Sequence, residues 1–176
     1  MDDAQLAELM RRDSPDELWD IYDEAGNKTG RVQRRGDPLT GGDCHLCVHV
    51  WIQRPDGSYL LTRRAPEKSC AGLWECTGGS ALMGEDSLTA ALREAREETG
   101  LCLDPEGAEY LFRFSGPHYH CDVWRFVLDF KESDIVLQPG ETCDFQLAGP
   151  EDIRRLVAAG QFFDFEVVER ILCLSE

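Results

Sequence analysis

Glu94, Glu97 and Glu98 are the residues whose type and spacing point most directly to chemistry. An α-helix advances about 100° per residue, so Glu98 lies about 40° and Glu97 about −60° from Glu94, and the three carboxylates share one face. Like charges three and four residues apart destabilise a helix by about 0.2 to 0.5 kcal/mol per pair. Clustered carboxylates suit Mg2+ or Mn2+, which would offset that repulsion. The spacing therefore predicts either a divalent-metal site or a solvated acidic face.

The helix that positions these glutamates is predicted over residues 86–99. Asp86 is a favourable N-cap, and Gly100 suits a left-handed position that ends the helix. Apolar residues recur at helical spacing beside the acidic stripe, at Leu88, Ala91, Leu92 and Ala95. Because the two stripes border each other, we expect the helix to pack on a core with its glutamates at the margin.

Residues before and within this helix complete a candidate site. Gly78 and Gly79 let the backbone approach a ligand closely. Glu85 precedes the helix, where a negative charge favours the positive end of the helix dipole. Arg93 reaches Glu97 one turn later and can also meet Glu85, so it would hold the carboxylates in place without binding the metal itself.

The pattern Gly79, five residues, Glu85, seven residues and then Arg93 to Leu101 resembles the Nudix box, Gly-x5-Glu-x7-Arg-Glu-U-x-Glu-Glu-x-Gly-U, where U is bulky and apolar. Every fixed position matches, and only Ala95 is small where the family has a larger residue. The resemblance implies that Glu94, Glu97 and Glu98 bind Mg2+, for which Mn2+ can substitute, and that they act with Arg93 in catalysis. One of the glutamates or a metal-held water would be the base in hydrolysis of a diphosphate linkage.

The resemblance extends over about residues 17–172 to the Nudix branch that contains isopentenyl-diphosphate isomerase. Its further motifs are Trp19 to Asp23 with Gly30, His45, Leu61 to Ala65, and Gly72 to Trp74. In that branch the counterparts of Arg64 and Lys68 grip the substrate diphosphate, a task that suits a bidentate guanidinium. With Gly79 they are the expected substrate-binding residues. The alternative for Arg64 and Lys68 is a solvated strand end.

Isomerase activity itself is disfavoured by two positions. That enzyme uses a cysteine and a metal-binding histidine where this sequence has Gly79 and Ala81, and Cys76 comes three residues too early. A glycine cannot deliver a proton to an alkene, so hydrolysis is favoured. Isoprenoid-diphosphate isomerisation remains an alternative, as does a non-catalytic sensor of a phosphorylated metabolite, although a sensor need not keep three mutually repelling carboxylates.

A second group of candidate ligands lies on two predicted strands: His45, Cys47, His49, His118, His120, Cys121 and Asp122. These residues either converge on a metal or, as is more usual, are hydrogen-bonded core and cleft side chains, with His45 bordering the cleft. Cys44 and Cys47 resemble a zinc or redox pair. On a strand, however, positions three apart point to opposite faces, which disfavours zinc.

The remaining pattern predicts an α+β fold. We expect strands at 17–23, 30–33, 44–53, 58–64, 74–82, 108–115, 119–130 and 144–147, and helices at 3–12, 86–99, 150–159 and 165–173. Strands interleaved with a few helices indicate a mixed sheet between helices. By resemblance this is a Nudix-like α/β/α sandwich with the box as loop, helix and loop. Residues 1–16 are an expected N-terminal extension and residues 17–176 the Nudix domain.

Composition restricts the partners. The 176 residues carry 18 Lys and Arg against 34 Asp and Glu, a formal charge of −16 that repels nucleic acids and anionic membranes. We therefore expect a small phosphorylated substrate. The N-terminus has no signal-peptide pattern and the eight cysteines have no disulfide-framework spacing, so a cytoplasmic location is predicted. The N-terminal strands are the expected interface of a homodimer.

Overall fold

The computed structural model describes residues 16–163 and 167–174. Within these residues there are nine strands and three α-helices. In chain order they are β1 Leu18–Tyr22, β2 Lys28–Arg34, β3 His45–Gln53, β4 Tyr59–Arg64, β5 Trp74–Glu75, β6 Thr77–Ser80, α1 Ser87–Thr99, β7 Glu109–Gly116, β8 Tyr119–Val127, β9 Thr142–Ala148, α2 Pro150–Ala158 and α3 Val168–Cys173. The helix predicted at 3–12 lies outside the described residues, as does almost all of the expected extension.

Seven of the strands form a mixed sheet, and β1 and β2 form a separate two-stranded hairpin. The main path is β5-β4-β3-β8-β7, while β6 pairs with β3 and β9 pairs with β4. Strands β3 and β8 run parallel, and their register begins at His45 opposite Tyr119. The other pairings in this sheet are antiparallel. The predicted α+β class and mixed sheet are confirmed.

Alternating residues of β3 face two different apolar clusters, as expected for a strand buried on both sides. Leu46, Val48 and Val50 pack in the cluster that contains the alanines of α1. Trp51 packs in the cluster that contains residues of α2 and α3, Ile153 and Ile171 among them. Each fully buried side chain of this size contributes roughly 1.5 to 3 kcal/mol relative to exposure. The sheet therefore lies between α1 on one face and α2 and α3 on the other.

The strand predicted at 74–82 is two short strands that separate at Cys76. The first, β5, pairs with β4, and the second, β6, pairs with β3. Gly78 makes the second pairing possible, because a Cβ atom at this position would collide with the backbone oxygen of Val48. The strand predicted to continue to residue 130 ends at Val127, opposite Gln53, where its partner β3 also ends.

None of the helices in residues 16–163 and 167–174 has the length and apolar character required to cross a bilayer.

Candidate active site

Helix α1 has the predicted ends. The Asp86 side chain accepts a hydrogen bond from the backbone N–H of Thr89 at 2.7 Å. Gly100 has a φ of 76° and its N–H donates to the carbonyl oxygen of Arg96, which closes the last turn. Ala91 and Ala95 are fully buried against β3, so the rotation of the helix about its axis is fixed. The predicted helix and both of its caps are confirmed.

This rotation brings Glu94 and Glu98 to the glycines of β6. Glu98 accepts hydrogen bonds from the hydroxyl of Thr77 and from the backbone N–H of Gly78, the latter at 3.2 Å. Glu94 lies against Gly79, and a Cβ atom on that glycine would overlap with its carboxylate. Two of the three predicted glutamates therefore meet the glycine pair that precedes the helix.

Both carboxylates are electrostatically unfavourable as anions. The pKa of Glu94 rises to about 8, because burial disfavours the charged form and the charge of Glu98 adds repulsion. The pKa of Glu98 rises to about 7, because burial and the charge of Glu75 disfavour the anion. The hydrogen bond from Thr77 acts in the opposite direction and lowers this pKa. Near neutral pH this pair therefore takes up a proton, or a cation in its place.

The Arg93 guanidinium forms ion pairs with three carboxylates of the site. It lies 2.8 Å from Glu85, 2.9 Å from Glu94 and 3.0 Å from Glu97, and it also donates to the carbonyl oxygen of Ser80 at 3.0 Å. The Glu97 side chain is 48% exposed. Glu97 thus lies at the rim, linked through Arg93 to the buried carboxylates.

The donor set suits a hard divalent cation. In the described part of the chain, no three His, Cys, Asp or Glu side chains converge as a preformed metal-binding group. A Mg2+ ion does not need one, because it is usually held by one or two carboxylates together with water and substrate phosphates. Glu98, which is buried, and Glu94, which is partly buried, repel each other and fit that requirement.

A cavity of about 630 Å³ adjoins Gly78 and Gly79. One wall is the face of β3 opposite α1, formed by His45, Cys47, His49 and Trp51. The other walls include four aromatic residues, Phe114, Tyr119, Phe162 and Phe163. Cavities of about 300 to 1,000 Å³ accommodate small organic ligands. The glycine pair therefore lies between the buried glutamates and a ligand-sized space.

Arg64 and Lys68 line the same cavity. The Arg64 guanidinium donates to Glu75 at 2.6 Å and to the carbonyl oxygen of Ser69 at 2.6 Å, and it lies 4.6 Å from the centre of the Phe163 ring. Arg64 is only 8% exposed, so the alternative of a solvated strand end is wrong for this residue. Lys68 forms an ion pair with Glu141.

Glu75 is a site residue that the sequence analysis missed. It is buried on β5, pairs with Arg64 and contributes to the raised pKa of Glu98. A charged residue between Trp74 and Cys76, in an otherwise apolar strand, is the signal that could have found it, because unpaired acids are rarely buried.

The second group of candidate ligands divides between different environments. Cys44 lies in the apolar cluster of α1, whereas Cys47 lines the cavity, so the two cysteines face opposite sides as predicted. His120 donates to the carbonyl oxygen of Asp23 at 2.8 Å and its other ring nitrogen lies 2.7 Å from the Ser115 hydroxyl. Asp122 is buried and held by Arg113 at 2.6 and 2.9 Å. Neither His120 nor Asp122 lines the cavity, unlike His45, His49, His118 and Cys121.

Comparison with known proteins places these features in a family. The family model of the NUDIX domain matches residues 44–171. An uncharacterized Nudix hydrolase of Listeria monocytogenes is 32% identical over 161 residues, covering 90% of this chain and 95% of that protein. The isopentenyl-diphosphate Delta-isomerase of Citrobacter koseri is 26% identical over 149 residues, covering 79% and 81%. A crystal structure of a Deinococcus radiodurans protein superposes with a TM-score of 0.74 at 25% identity, covering 88% of this chain and 98% of that one.

Proposed function

The chain belongs to the Nudix family and is a diphosphate-cleaving hydrolase, and on that premise we propose that it is a Mg2+-dependent enzyme whose substrate is a small organic diphosphate seated in the cavity. The observation that carries the proposal is the position of Glu98, which is buried, and Glu94, which is partly buried: the two repel each other and pack on the glycines of β6 that line the cavity. Mn2+ is expected to substitute for Mg2+.

We assign the metal to Glu94 and Glu98, with Glu97 as a third ligand at the rim. A bound divalent cation would neutralise phosphate oxygens and favour attack of water on phosphorus. Arg93 holds Glu94 and Glu97 in place through its 2.9 and 3.0 Å contacts. One of Glu94, Glu97 and Glu98, or a water held by the metal, is the candidate base that takes a proton from the attacking water.

We assign Arg64 and Lys68 to the diphosphate, because both are cations that line the cavity. Their ion pairs with Glu75 and Glu141 hold the two side chains in position. The aromatic walls suit the organic part of the substrate, either a nucleoside or another apolar group. Gly79 contributes close approach of the backbone and carries no side chain that would fill the space between substrate and Glu94.

Turnover measurements test this function. The protein is incubated with Mg2+ and a panel of nucleoside and isoprenoid diphosphates, and released phosphate and monophosphates are quantified. Glu98→Gln should lower kcat by about 100-fold or more, since one charged ligand and one candidate base are lost. The matched control is Glu106→Gln, an exposed residue. An unchanged rate in Glu98→Gln would remove Glu98 from the site.

Isomerase activity is the second candidate, favoured by the 26% identity to the Citrobacter koseri isomerase. Gly79 and Ala81 stand where that activity needs a thiol and a ligand, so we expect no reaction of this kind. The same incubations with isopentenyl diphosphate distinguish the two, because isomerisation moves a double bond and releases no phosphate. Ligand binding without any turnover would instead indicate a sensor.

We also propose the boundary between an N-terminal extension at 1–16 and a catalytic domain at 17–176, a cytoplasmic location, and dimerisation through β1 and β2. The location rests on the cysteine content, since eight thiols without framework spacing suit a reducing compartment. Light scattering of the full chain and of a chain lacking residues 1–16 tests the dimer and the boundary together.

A further inference from the structure

His45, Cys47 and Cys121 form a cluster of one imidazole and two thiols in the cavity wall. Their strands present them on the face of the sheet opposite α1, so the cluster is separate from the glutamates. We propose that Cys47 is a peroxide-reactive thiol, with His45 as its base and Cys121 as the thiol that resolves it to a disulfide. This reversible oxidation site goes beyond the hydrolase function.

The hydrogen bonds of His45 fix the role of each ring nitrogen. Nδ1 lies 2.9 Å from the carbonyl oxygen of His118, which can only accept, so Nδ1 carries the proton. In the neutral ring Nε2 is then an acceptor, and the Cys47 sulfur lies 3.1 Å from it. The Cys47 thiol therefore donates to Nε2. This is the arrangement of a nucleophile, a base and a group that orients the base.

The imidazole is held firmly in that orientation. Its ring stacks on the indole of Trp19 with centroids 4.2 Å apart and an interplanar angle of 11°. The same His118 carbonyl oxygen also accepts the backbone N–H of His45 at 3.0 Å. Cys47 is half-buried and lines the cavity, so a small reagent that enters the cavity reaches its sulfur.

Cys121 is the direct neighbour of Cys47 across the parallel pair β3 and β8. Both side chains line the cavity, so they point to the same face of the sheet. Adjacent strands lie about 4.8 Å apart, and disulfides join Cα atoms separated by about 4.4 to 6.8 Å. A disulfide requires the two Cβ atoms to lie closer together than they do across a regular parallel pair. The Cys47–Cys121 disulfide would therefore be strained and readily reduced.

The chemistry balances with a hydroperoxide as oxidant. At rest both partners are neutral, because burial lowers the pKa of His45 to about 4. The thiol proton passes to Nε2 of His45 as the Cys47 sulfur attacks one peroxide oxygen. An S–O bond forms while the O–O bond breaks, and the leaving oxygen takes the proton from His45 to become water or an alcohol. Cys121 then attacks the sulfenic sulfur of Cys47, an S–S bond forms, and the hydroxyl leaves with the Cys121 proton as water. Two thiols lose two electrons and the peroxide gains two.

Peroxide labelling of the whole protein tests the site without any phosphate substrate, so its failure leaves the hydrolase proposal untouched. The reduced protein is treated with a small excess of hydrogen peroxide, remaining thiols are alkylated, and tryptic peptides are analysed by mass spectrometry. We expect Cys47 to oxidise about tenfold or more faster than Cys102, an exposed cysteine in the same chain. The product should join Cys47 to Cys121 and disappear with dithiothreitol.

Variants separate the roles. In Cys121→Ala the sulfenic acid should persist and be trapped at Cys47 by dimedone. In His45→Gln the Cys47 rate should fall towards that of Cys102. Equal rates at Cys47 and Cys102 in the unaltered protein would overturn the proposal, whether or not His45→Gln folds. A disulfide from Cys47 to another cysteine, or no dimedone adduct in Cys121→Ala, would also overturn it.

Discussion

Gly79 lies against the carboxylate of Glu94 so closely that a Cβ atom at position 79 would overlap with it. The glycine pair of β6 is thus the thin wall between the glutamates of α1 and the cavity. A side chain at these glycines would lie between the carboxylates and a substrate in the cavity. Hydrolysis therefore depends on the backbone at this strand as much as on the acids of the helix.

Gly79→Ala should displace the Glu94 carboxylate while leaving the fold intact. We expect kcat to fall by about 100-fold, since a misplacement of about 1 Å in a catalytic group has that cost. The matched control is Gly107→Ala, because a Cβ atom there meets open space. Steady-state kinetics of both variants checks the prediction, and equal rates for the two would contradict the wall described above.

Mg2+ should stabilise the folded protein through Glu98. At a concentration about 100 times its Kd, a ligand adds about 2.7 kcal/mol, which raises the Tm of a domain of this size by about 5 to 10 °C. Glu98→Gln should lose most of this shift, and Glu106→Gln should keep it. Thermal unfolding with Mg2+ or with EDTA measures the effect. A full shift in Glu98→Gln would place the metal elsewhere.

The planar guanidinium of Arg93, as well as its positive charge, should be needed to hold the three carboxylates. Arg93→Lys keeps one positive charge but cannot reach Glu85, Glu94 and Glu97 together. We expect a loss of about 2 kcal/mol in the free energy of unfolding, together with lower activity. Arg96→Lys, at an exposed position of the same helix, is the control. Urea denaturation compares the two, and similar stabilities would show that the network contributes little.

His45 should make the fold sensitive to acid. Burial is the main reason that its pKa lies at about 4 instead of 6.5. The unfolded chain takes up this proton as the pH falls through 6.5, whereas the folded chain does so only near pH 4. Folding stability is therefore lost between these values, by roughly 3 kcal/mol from this residue. Urea titrations at pH 7.5, 5.5 and 4.5 should show a flatter pH dependence for His45→Gln than for the unaltered protein. Parallel curves would contradict the assignment.

Helix α1 could be predicted almost residue by residue because its signals are local. The Asp86 cap, the Gly100 end and the spacing of Ala91 and Ala95 are all read within one segment. The side of the sheet that each β3 side chain faces could also be predicted, because the alternation of residues along a strand determines it. These local rules placed the glutamates on one helix face and Cys44 and Cys47 on opposite faces of their strand.

Features that depend on which strands pair with each other could not be predicted from the sequence. The exchange of partners at Cys76 follows from β4 and β3 lying side by side, which no pattern in residues 74–82 encodes. The pairing of Cys47 with Cys121 likewise needs the knowledge that β8 is the parallel neighbour of β3. The approach of Glu75 to Glu98 joins two separate elements across the site, so its effect on the Glu98 pKa appears only in three dimensions.

The proposed function depends on a divalent cation that binds to Glu94 and Glu98 beside Gly79. Anomalous diffraction from crystals of the protein soaked in Mn2+ locates that cation. We predict a strong anomalous peak in contact with the carboxylates of Glu94 and Glu98, on the side of the glycine wall. Full Mn2+ occupancy elsewhere with no peak at these two residues, at a pH above 8, would show that Glu94 and Glu98 are not the metal site.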